Sequence, residues 1–452
     1  MKIRRISQLQ KKIIFPNFDQ NYQEFYTSFL KTDLGAIYTG IPWQVLVRQF
    51  KLKDNNKGPI STFSPKGKLA LMFLKHYAGC SDKKLIEQLN ANTHYQIFCD
   101  IVIPPSAPIT NFKIVSEIRC ELAQKLDIDK SQEKLADYWR PYCKNKNSMV
   151  CDATCYETYM RYPTDIKLLY ESVQWNYKQL KSLNKQIGAK TIRTKIGKWK
   201  KRYNTYSKSR RPSKKQKRSL QRALIQLLKK IHTSLERTEV IDYDFKLVPK
   251  YWKRRKATKL IIEQQRAKFY EHIQPENRIV SLDKPYIRPI VRGKEVKKVE
   301  FGAKVHKLQV DGINFIEHIS FDAFNEGVRL EKTIFTTQKL MHTKLKIVGA
   351  DGIYANNKNR NFVTKHNIAT DFKRKGRKSI HHDHFSLLAK MITKQRASAM
   401  EGSFGTDKEH FLLNRIKART RETEILWIFF GIHTSNALKI GRRMRKKVKK
   451  AA

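Results

Sequence analysis

The chain has 452 residues, of which 93 are Lys or Arg and 40 are Asp or Glu, a formal net charge of +53; 40% are hydrophobic and 11% aromatic. That apolar fraction can fill a sizeable core and excludes a wholly disordered basic chain. A charge of this size repels itself and calls for a polyanionic partner, nucleic acid or an anionic membrane surface.

The membrane alternative fails on three counts. The apolar run near the end, Ile425 to Ile432, falls far short of the roughly 20 residues a spanning helix needs. The opening residues, MKIRRISQLQKKIIFPNF, hold no apolar stretch or small-residue cleavage site and do not read as a signal peptide. Basic residues also run through the whole chain instead of gathering on one amphipathic helix. The cysteines, Cys80, Cys99, Cys120, Cys143, Cys151 and Cys155, form no CxxC pair. A zinc ribbon or disulfide framework is thereby excluded, and the thiols suit a reducing cytoplasm. At roughly 100–200 residues per domain, two or three domains are expected.

In chain order, Thr62 or Ser64 before Pro65 marks a helix start. Leu69, Met72, Phe73 and Tyr77 follow at helical spacing up to Gly79. Ser81 caps a second helix over Asp82–Asn90, a third covers about Thr93–Asp100, Pro104-Pro105 breaks the pattern, and a fourth runs about Asn111–Leu126. The rhythm is that of a small all-helical domain, helix-turn-helix-like or a plain helical scaffold. From Ser148 to Thr154 the pattern becomes a buried strand ending at Asp152, with Glu157–Tyr162 as a possible hairpin partner. Pro163-Thr164-Asp165 begins a long helix with Leu169, Val173, Tyr177 and Leu180 on one face.

Residues 172–235 contain 20 Lys and Arg and no Asp or Glu. Arg210-Arg211-Pro212-Ser213 divides them, and Leu220, Leu224, Leu227, Leu228, Ile231 and Leu235 form a stripe after the break. This predicts a helical hairpin with a cationic outer face. A further helix is expected at about Tyr251–Ile273. Alternating segments Lys297–Val310 and Asn314–Phe321 meet at Asp311-Gly312, a hairpin signal. Leu345 to Gly352 is a second buried strand ending in an acid, Asp351. A helix near Asn356–His366, a strand near Ile368–Phe372, a basic loop at Lys373–Arg377 and a final helical region from Met391 follow. From Lys439 onward the residues read as a basic tail that adds nonspecific affinity. The whole is an α/β core with a helical insertion.

The chemistry centres on the two strand-end acids. Catalytic groups of α/β sheets collect at the carboxyl ends of strands, and two carboxylates side by side are tolerable mainly with a cation between them. Met400 to Lys408 adds a helix on which Glu401 and Lys408, seven apart, share a face. An ordinary solvated helix face would show the same spacing. His381-His382-Asp383-His384 resembles a metal cluster, but no strand or helix signal organises it. Asp165, Glu157 and Glu326 read as structural or hydrogen-bonding, Asp322 as turn chemistry, and Trp175, Trp199 and Trp252 as core or as stacking platforms for a flipped base.

Four stretches in order, Asp152 to Asp165, Arg288 to Val305, Val348 to Phe362 and Met400 to Arg415, resemble the DDE transposases of bacterial insertion sequences. The helical segment around Leu85–Asn90 and Tyr95–Cys99 is similar to their N-terminal region. The resemblance implies an RNase H-like mixed sheet core, at residues 146–438, interrupted by the basic insertion at about 166–285. An N-terminal helical DNA-binding domain at 1–145 would precede it and the basic tail, 439–452, would follow. It implies catalytic and metal-binding roles for Asp152, Asp351 and Glu401, and DNA contacts for Lys408 and Arg396. The chain departs from the family pattern at one point: Arg396 lies five before Glu401, and Thr393 stands where a Tyr is usual.

Phosphodiester cleavage by two divalent ions explains why three acids suffice, and Mg2+, or Mn2+ in its place, prefers such oxygen ligands. The implied partners are double-stranded DNA, as terminal inverted repeats and as target, and a second copy of the chain in a homodimer that pairs two ends. No membrane is implied, and the implied compartment is the bacterial cytosol and nucleoid. The alternatives are a non-catalytic basic DNA-binding protein of domesticated-transposase type and an RNase H-like nuclease that only hydrolyses.

Overall fold

The computed structural model describes residues 5–6, 16–54, 61–241, 249–291, 299–373 and 382–451. The chain forms two compact units, Met1–Thr158 with Ala303–Ser320 and Phe324–Ala452, and Tyr159–Gly302 with Phe321–Ala323.

In the first unit the helices before the sheet are α1 (Pro16–Lys31), α2 (Asp33–Thr39), α3 (Trp43–Gln49), α4 (Pro65–Ala78), α5 (Asp82–Ala91), α6 (Thr93–Phe98), α7 (Lys113–Lys125) and α8 (Ile128–Trp139). Several begin where a side chain can take up an unpaired first-turn N–H. Thr32 accepts from Gly35, Ser64 from Gly67, Ser81 from Lys84, Asn92 from Tyr95 and Asp127 from Lys130. Edge-to-face ring pairs, Trp43 with Phe73 and Phe98, and Phe73 with Phe430 at 4.8 Å, tie α3, α4 and α6 into one core.

Phe430 belongs to the last helix (Arg421–Ala451), which packs against α2, α4 and α7. Gly441 permits that contact: a Cβ there would stand 1.8 Å from the Ala36 carbonyl oxygen. The N-terminal helices therefore share their core with the C-terminal helix. The stretch from Lys439 expected to be a tail is helix, and its arginines are structural. Arg442 pairs with Asp33 at 2.8 Å, Arg443 with Asp311 at 3.0 Å, and Arg445 donates to the Lys31 carbonyl at 3.1 Å. Isolated basic composition looks like a tail, but buried Ala437 and Ile440 continue the apolar face of the helix into it.

The strands are β1 (Ser148–Thr158), β2 (Pro289–Val291), β3 (Val299–Val310), β4 (Ile313–Ser320), β5 (Ile347–Gly349), β6 (Ala369–Thr370) and β7 (Arg415–Ile416). Within the first unit the order is β4-β3-β1-β5-β6. β3 and β4 are antiparallel, and β1, β5 and β6 are parallel. The β3–β4 turn is the Asp311-Gly312 pair, with φ of 48° and 79°, as the sequence predicts.

β1 corrects the sequence reading. It does not end at Asp152 but continues to Thr158, and instead of a hairpin with 157–162 its last residues pair in parallel with β7, Glu157 opposite Arg415. The small and β-branched run Ala153-Thr154-Cys155 extends the strand, and no Gly or Asn is present to turn it. Residues 297–298 of the expected first hairpin strand and 374–377 of the expected basic loop lie outside the described residues.

The helices after the insertion are numbered once its own are counted. In the second unit α9 (Asp165–Gln186), α10 (Ile196–Lys208), α11 (Lys214–Ile241) and α12 (Pro249–Arg266) surround Leu169, Val173, Leu180, Leu224, Leu228 and Ile231. The expected break at 210–213 is present. A second break after Gln186, at Gly188 with φ of 71°, makes three helices where a hairpin was expected. The leucine stripe of α11 is buried throughout. Asp165 takes Lys268 at 2.6 Å and Arg278 at 3.2 Å, the structural role expected of it. The first unit resumes with α13 (Leu330–Met341), α14 (Asn357–Lys365), α15 (His382–His410) and α16, the last helix already described. No described helix is long and apolar enough to cross a membrane.

A candidate carboxylate site at the ends of two parallel strands

The β1–β5 register runs Ser148 to Ile347, Met149 to Val348 and Val150 to Gly349. Two residues further along each chain stand Asp152 and Asp351. Asp152 is still within β1, whereas Asp351 lies just past the end of β5; continuing the register sets the two acids opposite each other, near enough for Asp351 to act on the Asp152 carboxyl. Asp152 is half-buried and accepts from the Ala153 N–H at 2.7 Å. Burial holds its carboxyl group above the usual range; Glu326 and Asp351 push it further, and the Ala153 bond and Arg396 offset only part of this. Asp351 is exposed and caps the short turn Gly352–Tyr354 through the Gly352 N–H at 2.5 Å.

A second turn, Glu326–Val328, is fastened to the Asp351 turn. Asn359 donates to the carbonyls of Gly327 at 2.6 Å and Tyr354 at 2.8 Å, and Asn356 donates to Gly327 at 3.1 Å. A Cβ on Gly327 would lie 2.5 Å from the Ile353 carbonyl oxygen, so only glycine allows the two turns to close. The Glu326 Oε1 accepts from Lys304 at 3.2 Å, while its buried Oε2 and the buried Tyr354 hydroxyl have no hydrogen-bond partner among the described residues. Burial pushes the Tyr354 hydroxyl far up, and Cys151, Glu326, Asp152 and Asp351 add to it. Its ring stacks on His306 at 5.7 Å, and His306 donates to Glu317, which Arg329 holds with two bonds of 2.7 Å.

α15 packs across β1 and β5. About a third of the way along it Ile392 presses on Gly349, where an added Cβ would be 3.0 Å from it. Near its end a buried group fixes it to the sheet: Lys307 of β3 donates to Asp407 at 2.6 Å and Ser403 at 2.8 Å, and Tyr156 of β1 donates to Asp407 at 2.6 Å. Tyr156 lies four residues beyond Asp152 and so on the same face of β1, the face that α15 covers. Glu401 falls between these anchors, exposed, on the turn next to buried Met400 and Ser403; Lys408 follows on its face, half-buried. Arg396 is engaged with Asp371 at 3.2 Å, whose other oxygen accepts from the Ala350 N–H at 3.0 Å.

The structure thus brings Asp152 and Asp351 together with Glu326, and leaves Glu401 on the helix alongside. Among the described residues no three His, Cys, Asp or Glu side chains stand close enough to hold a metal ion. The donor chemistry of the aspartate pair nevertheless suits a hard divalent cation: all oxygen, with a raised Asp152 carboxyl whose charge a cation would stabilise. Tyr354, three residues beyond Asp351, escaped the sequence reading; Glu326 accepts from Lys304, the structural or hydrogen-bonding role expected of it, but its nearness to Asp152 was not foreseen. His382, Asp383 and His384, read as unorganised, occupy the first turn of α15, which starts earlier than Met391; His381 lies outside the described residues. Trp175 packs against Tyr251 under Arg254, and Trp252 is exposed. Comparison of the chain with protein-family models, with curated proteins and with solved structures finds no match.

Proposed function

We propose that the chain is a DDE transposase that binds the terminal inverted repeats of a bacterial insertion sequence and cuts and rejoins DNA. The observation that carries this reading is the nearness of Asp152 and Asp351 just beyond the β1–β5 pairing, with the helix that bears Glu401 and Lys408 packed across both strands. The sheet order β4-β3-β1-β5-β6 supports an RNase H-like core: an antiparallel pair on one side of the central strand and parallel strands on the other. The charge of +53 supports DNA as the partner.

Asp152 and Asp351 would hold the metal, with Glu401 joining from α15. Two Mg2+ ions, when bound, supply an activated attacking oxygen and a stabilised leaving oxygen. The other groups position. The Lys307–Asp407–Tyr156 cluster fixes the height of α15 over β1, and the Asn359 clip fixes the Asp351 turn. Lys408, on the face of Glu401, contacts a phosphate beside the scissile bond. Pairing two ends calls for a homodimer, and the bacterial cytosol and nucleoid is where such DNA lies.

The test is end joining. The full chain is incubated with Mg2+ and labelled duplexes carrying the inverted repeats that flank its gene. Joined products with the label in a target plasmid are expected. Hydrolysis without joining would mark a nuclease, and binding without either would mark a non-catalytic DNA-binding protein.

A further inference from the structure

In the second unit a groove of about 580 Å3 runs between α11 and the segment leading into α10. Arg193, Lys195 and Lys230 line it, with Trp199, Gln226 and Leu227. All three cations are exposed, and the sequence around them, 172–235, contains no carboxylate. The groove is built rather than incidental. Lys230 of α11 reaches across it to donate to the Arg193 carbonyl at 3.2 Å, and the Trp199 indole N–H is taken up by the Thr194 carbonyl at 3.1 Å, which fixes the ring as a wall. Buried Leu227 and Leu228 seat the α11 side in the core of the unit.

Lys195 carries two local costs at once. It is a non-glycine residue in the left-handed region, φ 50° and ψ 38°. It also places a cation at the start of α10 with no side-chain cap bond, where the helix dipole favours an anion. Asn or Gly would suit the position on both counts. Local rules broken together, beside two more cations lining one groove, mark a residue kept for what it contacts.

We infer that this groove is a binding site for nucleic-acid backbone phosphates, with Arg193, Lys195 and Lys230 each facing one phosphate. The occupant is a phosphodiester backbone: its regular row of anions fits three cations lining one groove in an acid-free stretch, Gln226 adds an amide donor on the same face, and the competition below tests it against acidic peptide. The site lies wholly in the second unit, so it rests on the reading that nucleic acid is the partner and not on the chemistry at Asp152.

The experiment measures binding of the full chain to a fluorescent duplex of about 30 base pairs of arbitrary sequence, in EDTA, over a range of salt. The variant Arg193→Gln/Lys195→Gln/Lys230→Gln is compared with a control of equal charge loss in the first unit, outside residues 1–145, Lys344→Gln/Lys346→Gln/Lys365→Gln, all exposed. The groove variant is expected to bind about tenfold or more weakly at moderate salt. Its slope of log affinity against log salt should flatten by about 2.7, three times the ~0.9 per phosphate contact, with little change in the control. The variant Lys195→Gly, which relieves the backbone, is expected to raise the melting temperature while flattening the slope by about 0.9. Equal affinity and slope in the groove and control variants would overturn the inference. So would competition by polyglutamate as effective as by unlabelled duplex, which would make the groove a site for acidic protein. Because no metal is present, loss of cleavage in an Asp152 variant bears on the catalytic reading and leaves this result untouched.

Discussion

Asp152 bears a carboxyl group that burial, Glu326 and Asp351 all make reluctant to ionise. A carboxyl whose pKa is raised in the folded state supports the fold only at low pH and counts against it once ionised. Asp152→Asn is therefore expected to raise the melting temperature of the metal-free protein at pH 7, with the difference fading as pH falls toward the ordinary value of 3.8. Mn2+ should then stabilise the wild type and not the variant; stabilisation of both equally would remove Asp152 from the metal site. Glu317 behaves in the opposite sense. Burial raises its pKa, but the hydrogen bonds from His306 and Arg329 outweigh it and hold the group at about 2. Its support is complete above the ordinary 4.5 and is lost as pH falls from there to about 2. In Glu317→Gln that part of the acid unfolding, followed by circular dichroism, should disappear, along with stability at neutral pH as Arg329 and His306 lose their acceptor.

At the scale of elements, α15 is held by charge buried in the core. Lys307 and Asp407 have fully buried side chains, and removal of one partner strands the other. Asp407→Asn is expected to cost about 3–5 kcal/mol in denaturant unfolding, and Lys307→Met/Asp407→Leu to recover much of it. No loss in the single variant would mean that the pair is not what anchors α15. The elements themselves were unequally legible. Ser64, Ser81, Thr164 and Asn356 announce their helices because a cap is local chemistry, and Asp311-Gly312 announces its turn for the same reason. The extension of β1 past Asp152 depends on a partner distant in sequence, β7, which no local pattern displays. The hydrogen-bonding role read for Glu326 is present in its bond from Lys304, but its electrostatic effect on Asp152 is a long-range relation that no local pattern displays.

For the whole molecule, the positive charge divides by role. Arg442, Arg443 and Arg445 are spent within the fold, since the helix that carries them closes on α2 at Gly441. Gly441→Ala is expected to destabilise the protein by about 1–3 kcal/mol or more, because the added methyl meets backbone that cannot yield; an unchanged melting temperature would show that the helix does not close there. The cations of 172–235 are different: most are exposed, and Arg193, Lys195 and Lys230 line the groove of the second unit. The central claim concerns the scarce acids. It is tested most directly by cleavage of duplex DNA by the full chain with Mg2+ or Mn2+, comparing wild type with Asp152→Asn and Asp351→Asn at equal DNA occupancy. The account predicts metal-dependent cleavage by the wild type, abolished in both variants while DNA binding persists. Cleavage retained by either variant would contradict it.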